Sequence, residues 1–246
     1  DALARAIEKG GTILIPAFSL ERTQLMLYEL SNFFDAGELP KIPVFLDSPL
    51  AIHVTEVYEK WGMTYFKSET EDEMKREGSI FEFPFLKQTL SRAESVAIEK
   101  TPGLKIIIAG AGMSHGGRIG RWEAKYLPDP STTLFIVGYQ APGTPGRRMV
   151  EGASSVRING SDVHIRAKIE KLEGWSAHAD RDGLLKFAEA CLRRQAALAG
   201  KRTKTIFTAL GEPSAERFFA QRIHDYLGGN AVVPDYGETW EVTKDS

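Results

Sequence analysis

The stretch Gly174-Trp175-Ser176-Ala177-His178-Ala179-Asp180 lies between a strand-like run and a helix-like one. Asp180 is placed to cap the N-terminus of that helix. His178 then sits on a short loop of small residues at a sheet edge, from which its ring can reach a cleft. An imidazole there suits a general acid, a general base or a metal ligand, because it titrates near neutrality. It equally suits an ordinary loop histidine beside a capping aspartate. A second signal is the glycine-rich turn from Gly110 to Arg118. Its glycines let backbone approach an anion, a helix N-terminus offers N–H donors, and Arg118 can add a forked phosphate contact. The spacing is not G-x-G-x-x-G, and Asp129 precedes the next strand instead of ending it. A dinucleotide fingerprint therefore fits badly, and a plain strand-to-helix connection fits too. The loop Gly138–Arg148 holds three glycines and two prolines beyond another strand, where open α/β sheets place ligands. Tyr139 offers a face for stacking, and Arg147 and Arg148 offer phosphate partners or simply solvated charge.

Other residues point away from particular chemistries. Asp47-Ser48-Pro49 reads as a cap for the helix after it. His53, His115, His164 and His224 show neither H-x-H nor H-E-x-x-H spacing and read as surface or satisfied histidines. There is no G-x-S-x-G elbow and no Walker loop. The single cysteine, Cys191, excludes an internal disulfide framework and a multi-thiolate metal site.

The elements that must position these residues alternate short apolar runs with amphipathic segments, the pattern of an α/β protein with a largely parallel sheet. Strands are predicted at Thr12–Pro16, Pro43–Leu46, Leu104–Ala109, Thr132–Val137 and Lys204–Leu210. Helices are predicted at about Glu21–Phe34, Ala51–Trp61 and Leu90–Glu99, with later ones striped by Leu184, Phe187, Ala188, Cys191 and Leu192 and by Phe219, Ile223, Tyr226 and Leu227. From Ser155 to Leu172 short alternating runs predict antiparallel strands. The acidic run Glu69–Glu73 is expected to be exposed. A boundary falls between Ser155 and Trp175, after which about 70 residues are sparse for a core of their own.

Composition narrows the class. Of 246 residues, 42% are apolar and 26% charged, as in soluble globular proteins. No apolar run approaches the ~20 residues needed to cross a bilayer, and no signal peptide is visible, so a cytoplasmic, membrane-free protein is expected. The 31 basic and 33 acidic residues give a net charge of −2. Any nucleic-acid contact must then come from local clusters. The chain opens on Asp1 inside a helix-like segment, which points to a processed product or a fragment.

Five stretches, taken in order, resemble the β-CASP branch of the metallo-β-lactamase superfamily, a group of RNA-processing nucleases. They are Leu14–Gln24, Leu46–Ala51, Gly112-Met113 through Gly117-Arg118, Gly138–Ala141 with Gly143-Thr144 and Gly146-Arg147, and Ser176–Asp180. The resemblance implies a three-layer α/β β-CASP domain with a mainly parallel sheet over residues 1–171. Residues 172–246 would then be the C-terminal segment of a metallo-β-lactamase αββα fold. It implies RNA in the cleft between the two domains and two zinc ions that activate water in the full-length protein, with none bound to this chain alone. His178 matches the motif B histidine that protonates the leaving group or stabilises transition-state charge. Arg22, Ser48, Arg118, Gln140, Thr144 and Arg147 match positions lining the cleft. The resemblance leaves room for a homo-oligomer.

Three departures qualify what is implied. The zinc-binding H-x-H-x-D-H motif, a later aspartate ligand and the acidic motif A residue are absent and are expected upstream of Asp1, so this chain by itself is expected to be inactive. Ala209-Leu210-Gly211-Glu212 stands where V-H-G-E is usual, and a leucine cannot bind zinc. Glu21 stands where a glycine is common. A zinc-dependent ribonuclease is thus the first reading and a non-catalytic RNA-binding paralogue the second. A hydrolase of DNA or small molecules on the same fold ranks behind both.

Overall fold

A computed structural model describes residues 1–172, 174, 178–199 and 205–241, leaving aside the side chains of Glu77 and 194–199. The chain divides into two compact units, Asp1–Ser176 and Ala177–Ser246. The first opens with α1 (Ala2–Lys9), β1 (Thr12–Pro16) and α2 (Arg22–Asp35), then β2 (Val44–Leu46), α3 (Pro49–Tyr65) and α4 (Ser68–Glu77). It continues through β3 (Leu86–Gln88), α5 (Arg92–Ala97), β4 (Lys105–Ala109), α6 (Ile119–Tyr126), β5 (Thr133–Ile136) and α7 (Pro145–Val150). It ends with β6 (Ser155–Ile158), β7 (Ser161–His164) and β8 (Lys168–Lys171).

Six strands form one parallel sheet in the order β3-β2-β4-β1-β5-β8. Its inner strands are buried at every position, and apolar except at Thr12, Lys105 and Thr133, because both faces are covered. Ile13, Ile15, Val44, Leu46, Ile106 and Ile108 face a core shared with Met26, Leu27, Leu30 and Ile52 of α2 and α3. Leu14, Phe45, Ile107, Leu134 and Ile136 face the other core, with Ile119 and Trp122 of α6 and Met149 of α7. That is a three-layer arrangement. The central strands β1 and β4 are neighbours whose following helices lie on opposite faces, which makes their C-terminal ends a topological switch point.

One stretch differs from the sequence reading. Antiparallel pairing was expected across 155–172, but only β6 and β7 pair that way, while β8 joins the large sheet parallel to β5. Lys168-Ile169-Glu170-Lys171 interrupts its apolar residues with charge because it is the edge of the sheet, where charged side chains guard the open strand. The acidic run is a helix, α4, with Glu69 and Glu71 in its first turn and Lys75 and Arg76 in its last, matching the helix dipole.

The second unit holds α8 (Arg181–Ala199), β9 (Ile206–Phe207), α9 (Pro213–Leu227) and β10 (Ala231–Val232), with β9 parallel to β10. Its core is thin. Among the described residues only Ala188 and Ile223 are fully buried apolar side chains there, while Leu184, Phe187, Phe207 and Phe218 are exposed. No described helix is long and apolar enough to cross a membrane.

Candidate functional site

At the C-terminal edge of the parallel sheet, the loops after β1, β2, β4 and β5 converge. After β2 the chain reaches Asp47 and Ser48. Ser48 caps α3, its Oγ accepting from the Ala51 N–H at 3.4 Å. Asp47 does something else. Its carboxylate is fully buried and accepts four bonds: from Thr89 Oγ1 (2.7 Å), Ser95 Oγ (2.7 Å), Trp122 Nε1 (2.8 Å) and Arg118 Nη1 (2.6 Å). Burial alone would raise this carboxyl, but the four donors outweigh it and hold Asp47 below the ordinary carboxylate range.

Arg118 is fixed by the same network. Nη1 also donates to the Thr89 carbonyl (3.0 Å) and Nη2 to the Leu90 carbonyl (2.7 Å). Nε and the second Nη2 hydrogen make no bond among the described residues. The guanidinium is therefore aimed from one side and can still donate from the other.

The glycine-rich turn folds back on itself. Ala111 N–H donates to the Gly116 carbonyl and Ile119 N–H to the Gly110 carbonyl, so the first donor of α6 is taken by backbone and not left open to an anion. Gly117, at φ 70°, approaches so closely that a β-carbon there would stand 2.3 Å from the Gly110 oxygen. Ser114 of this turn is buried and donates to Glu123 on α6. A β-carbon on Gly110 would meet Ala17 O, Ser19 Oγ and Ser48 Oγ at 3.6–3.7 Å, so three loops touch at this point.

The loop after β5 docks onto the same turn. Gln140 is buried, its Nε2 donating to the Gly112 carbonyl (2.9 Å) and the Gly138 carbonyl (3.3 Å). Thr144 caps α7, its Oγ1 accepting from Arg147 N–H. Arg147 donates through Nε to Glu151 (2.6 Å) and through Nη1 to the Gln140 carbonyl (3.4 Å). Arg22, half-buried, opens α2 at the end of the β1 loop. Before it, Arg22 N–H closes a γ-turn onto the Leu20 carbonyl (2.7 Å), with Glu21 at φ 63° and ψ −55°. A glycine would take that conformation without strain.

The structure thus joins Ser48, Arg118, Gln140, Thr144 and Arg147 through a chain of contacts at one edge. His178 belongs to the second unit, where it is exposed two residues before Asp180. Asp180 caps α8 as its position predicts, its Oδ1 accepting from Gly183 N–H at 2.7 Å. Trp175, Ser176 and Ala177 of the same motif and Lys204 of the next strand lie outside the described residues. His53, His115, His164 and His224 are all exposed. Leu210 is fully exposed at φ 68°.

Sequence reasoning missed Asp47 as a hub and Glu123 as a buried carboxyl. The four partners of Asp47 lie 42 to 75 residues away and that of Glu123 lies 9 away, and no local spacing announces these pairings. The donor set also bears on metal. Among the described residues no three His, Cys, Asp or Glu side chains gather closely enough to hold an ion.

Comparison with known proteins bears on the same edge. A family model described as the Beta-Casp domain matches residues 23–149. One described as a Zn-dependent metallo-hydrolase RNA specificity domain matches residues 162–234. Ribonuclease TTHA0252 of Thermus thermophilus is 35% identical over 185 residues, covering 75% of this chain and 42% of that protein. An RNase J-like protein of Methanocaldococcus jannaschii is 31% identical over 215 residues, covering 85% and 48%. The transcription termination factor FttA of Methanosarcina mazei is 29% identical over 222 residues, covering 85% and 32%. The chain spans less than half the length of these relatives. The first family model alone accounts for more than half of the sequence. On these grounds the chain belongs to the β-CASP group of the metallo-β-lactamase family.

Proposed function

We propose that this chain forms part of a zinc-dependent RNA-processing nuclease and supplies its RNA-binding edge. The observation that carries the reading is Arg118, pinned by Asp47, Thr89 and Leu90 on one side and able to donate to a phosphate from the other. The convergence of Ser48, Gln140, Thr144 and Arg147 on the same edge supports a strand of RNA crossing the C-terminal ends of β1, β2, β4 and β5. The names of the relatives support RNA as the polymer. Arg22 extends the edge beyond β1. His178 is the residue assigned to proton transfer or charge stabilisation at the phosphodiester. Zinc, two ions in this reading, is held by ligands outside the described residues, whose own donor groups do not assemble a site. This chain's part is to bind and orient the strand.

The test is RNA affinity measured against salt for the chain and for Arg147→Gln. A phosphate-contacting edge loses affinity as salt rises, and deleting one contact lowers the slope by about one. Affinity independent of salt, or none at all, refutes the reading.

One observation favours a second reading, a non-catalytic RNA-binding paralogue. Leu210 puts hydrocarbon at the position where the resemblance calls for a zinc-binding histidine. Zinc content and RNA cleavage, measured in the full-length protein with Leu210 and with Leu210→His, separate the two. Zinc and cleavage in both forms support the nuclease. Neither until histidine is restored supports the paralogue.

A further inference from the structure

Phe18 stands at the switch point between β1 and β4, and its side chain is 38% exposed. What lies against it is glycine. A β-carbon on Gly112 would come within 2.9 Å of both Phe18 Cδ2 and its backbone nitrogen, and one on Gly138 within 3.9 Å of Cε2. One side of the ring, from Cγ through Cδ2 to Cε2, therefore lies against glycines of two loops, most closely at Gly112. Its own loop is tied down at three points. Ala17 N–H donates to the Ala109 carbonyl, Thr23 donates to the Phe18 carbonyl through both N–H and Oγ1, and Gln24 Nε2 donates to the Ser19 carbonyl. Lone exposed apolar residues are common. A partly exposed aromatic ring packed against two glycines, whose carbonyls both accept from Gln140 Nε2, is a different case.

We propose that Phe18 is a stacking platform for one unpaired nucleobase of the bound RNA. The proposal rests on the RNA reading above and adds the recognition of a base face to it. Aromatic rings accept any base by stacking, whereas a base inside a duplex has both faces covered. With a base on Phe18, the attached phosphate is in reach of the polar groups lining the neighbouring loops, and the two features read one nucleotide together. The glycines follow from this. Any side chain at 112 would lift or displace the ring.

The experiment compares the chain with Phe18→Leu and Phe18→Trp on two ligands. One is a single-stranded RNA; the other carries the same phosphates on a spacer backbone with no bases. Leucine keeps apolar bulk over the glycine floor but removes the π face. The expected result is about tenfold weaker binding of Phe18→Leu to RNA. Its binding to the baseless strand should be unchanged, and Phe18→Trp should match the wild type. A loss equal on both strands, or no loss on either, overturns the platform while leaving the RNA edge standing. No RNA binding by the wild type overturns the RNA reading and the platform with it.

Discussion

Glu123 has no exposed surface on α6. Its Oε1 accepts from the Ser114 hydroxyl at 2.5 Å, and its Oε2 has no partner among the described residues. Burial pushes the carboxyl up to about 7, against the pull of that hydroxyl. The folded chain then keeps a proton that the unfolded chain releases at the ordinary carboxyl value of 4.5. The sign follows. The contribution to stability is fully present below the unfolded value and is lost as pH rises through the folded one. With those two values, the linkage relation gives a loss of about 2.5 kcal/mol between pH 5 and pH 8. Glu123→Gln removes the titration. Its amide also leaves a donor without an acceptor, at a cost of about 1–2 kcal/mol that does not change with pH. The informative quantity is therefore the change in the difference between the two proteins. Denaturant unfolding at pH 5, 6, 7 and 8 should show that difference moving about 2–3 kcal/mol in the variant's favour. The lowered carboxyls, such as Glu170 and Asp129, act alike in both proteins and cancel. Parallel pH profiles would refute the claim that Glu123 is held protonated in the fold.

Three further outcomes follow from the same edge. Asp47→Ala strips four donors of their shared acceptor and should destabilise the first unit by about 3 kcal/mol in thermal or denaturant unfolding; a loss under about 1 kcal/mol would mean the network is not formed in solution. Glu21→Gly relaxes the strained γ-turn before α2, and after the entropy that glycine adds to the unfolded chain it should gain about 1 kcal/mol, with Glu21→Ala, which keeps the strain, gaining nothing. Gly146→Ala would place a β-carbon 1.8 Å from Gln140 Oε1, so it should expel Gln140 from its bonds to Gly112 and Gly138 and lower the melting temperature by several degrees.

Much of the sheet was legible because buried parallel strands are written as unbroken apolar runs. Thr12–Pro16 is found where it was expected, and the helices striped by Leu27 and Leu30 and by Ile223 bury those residues, although Tyr226 of the second stripe is exposed. The region from Thr64 to Lys100 was opaque for a physical reason. α4 is strongly polar, and only Met74 of its described side chains is buried, so it carries no stripe to read. β3 is a three-residue edge strand with no apolar run. Ser48 in the first unit and Asp180 in the second could be read as caps locally because a cap is a short-range bond. The Asp47 hub could not, since its donors come from Thr89, Ser95, Arg118 and Trp122, brought together only by the crossover between strands.

Leu210 differs from every other residue discussed, because nothing in the fold calls for it. It is fully exposed, so it contributes no burial, and its φ of 68° is one that a γ-branched side chain adopts only at a cost. The neighbouring bond that shapes this turn, Gly211 N–H to Glu216 Oε1 at 2.8 Å, does not involve the leucine side chain. Histidine tolerates a left-handed backbone better than leucine does. Leu210→His should therefore change stability by no more than about 0.5 kcal/mol, and in the favourable direction. Matched melting curves of the two forms check this. If they coincide, any zinc or cleavage gained with the histidine reflects ligand chemistry alone. A variant that unfolds early would instead place Leu210 in a packing role that its exposure denies.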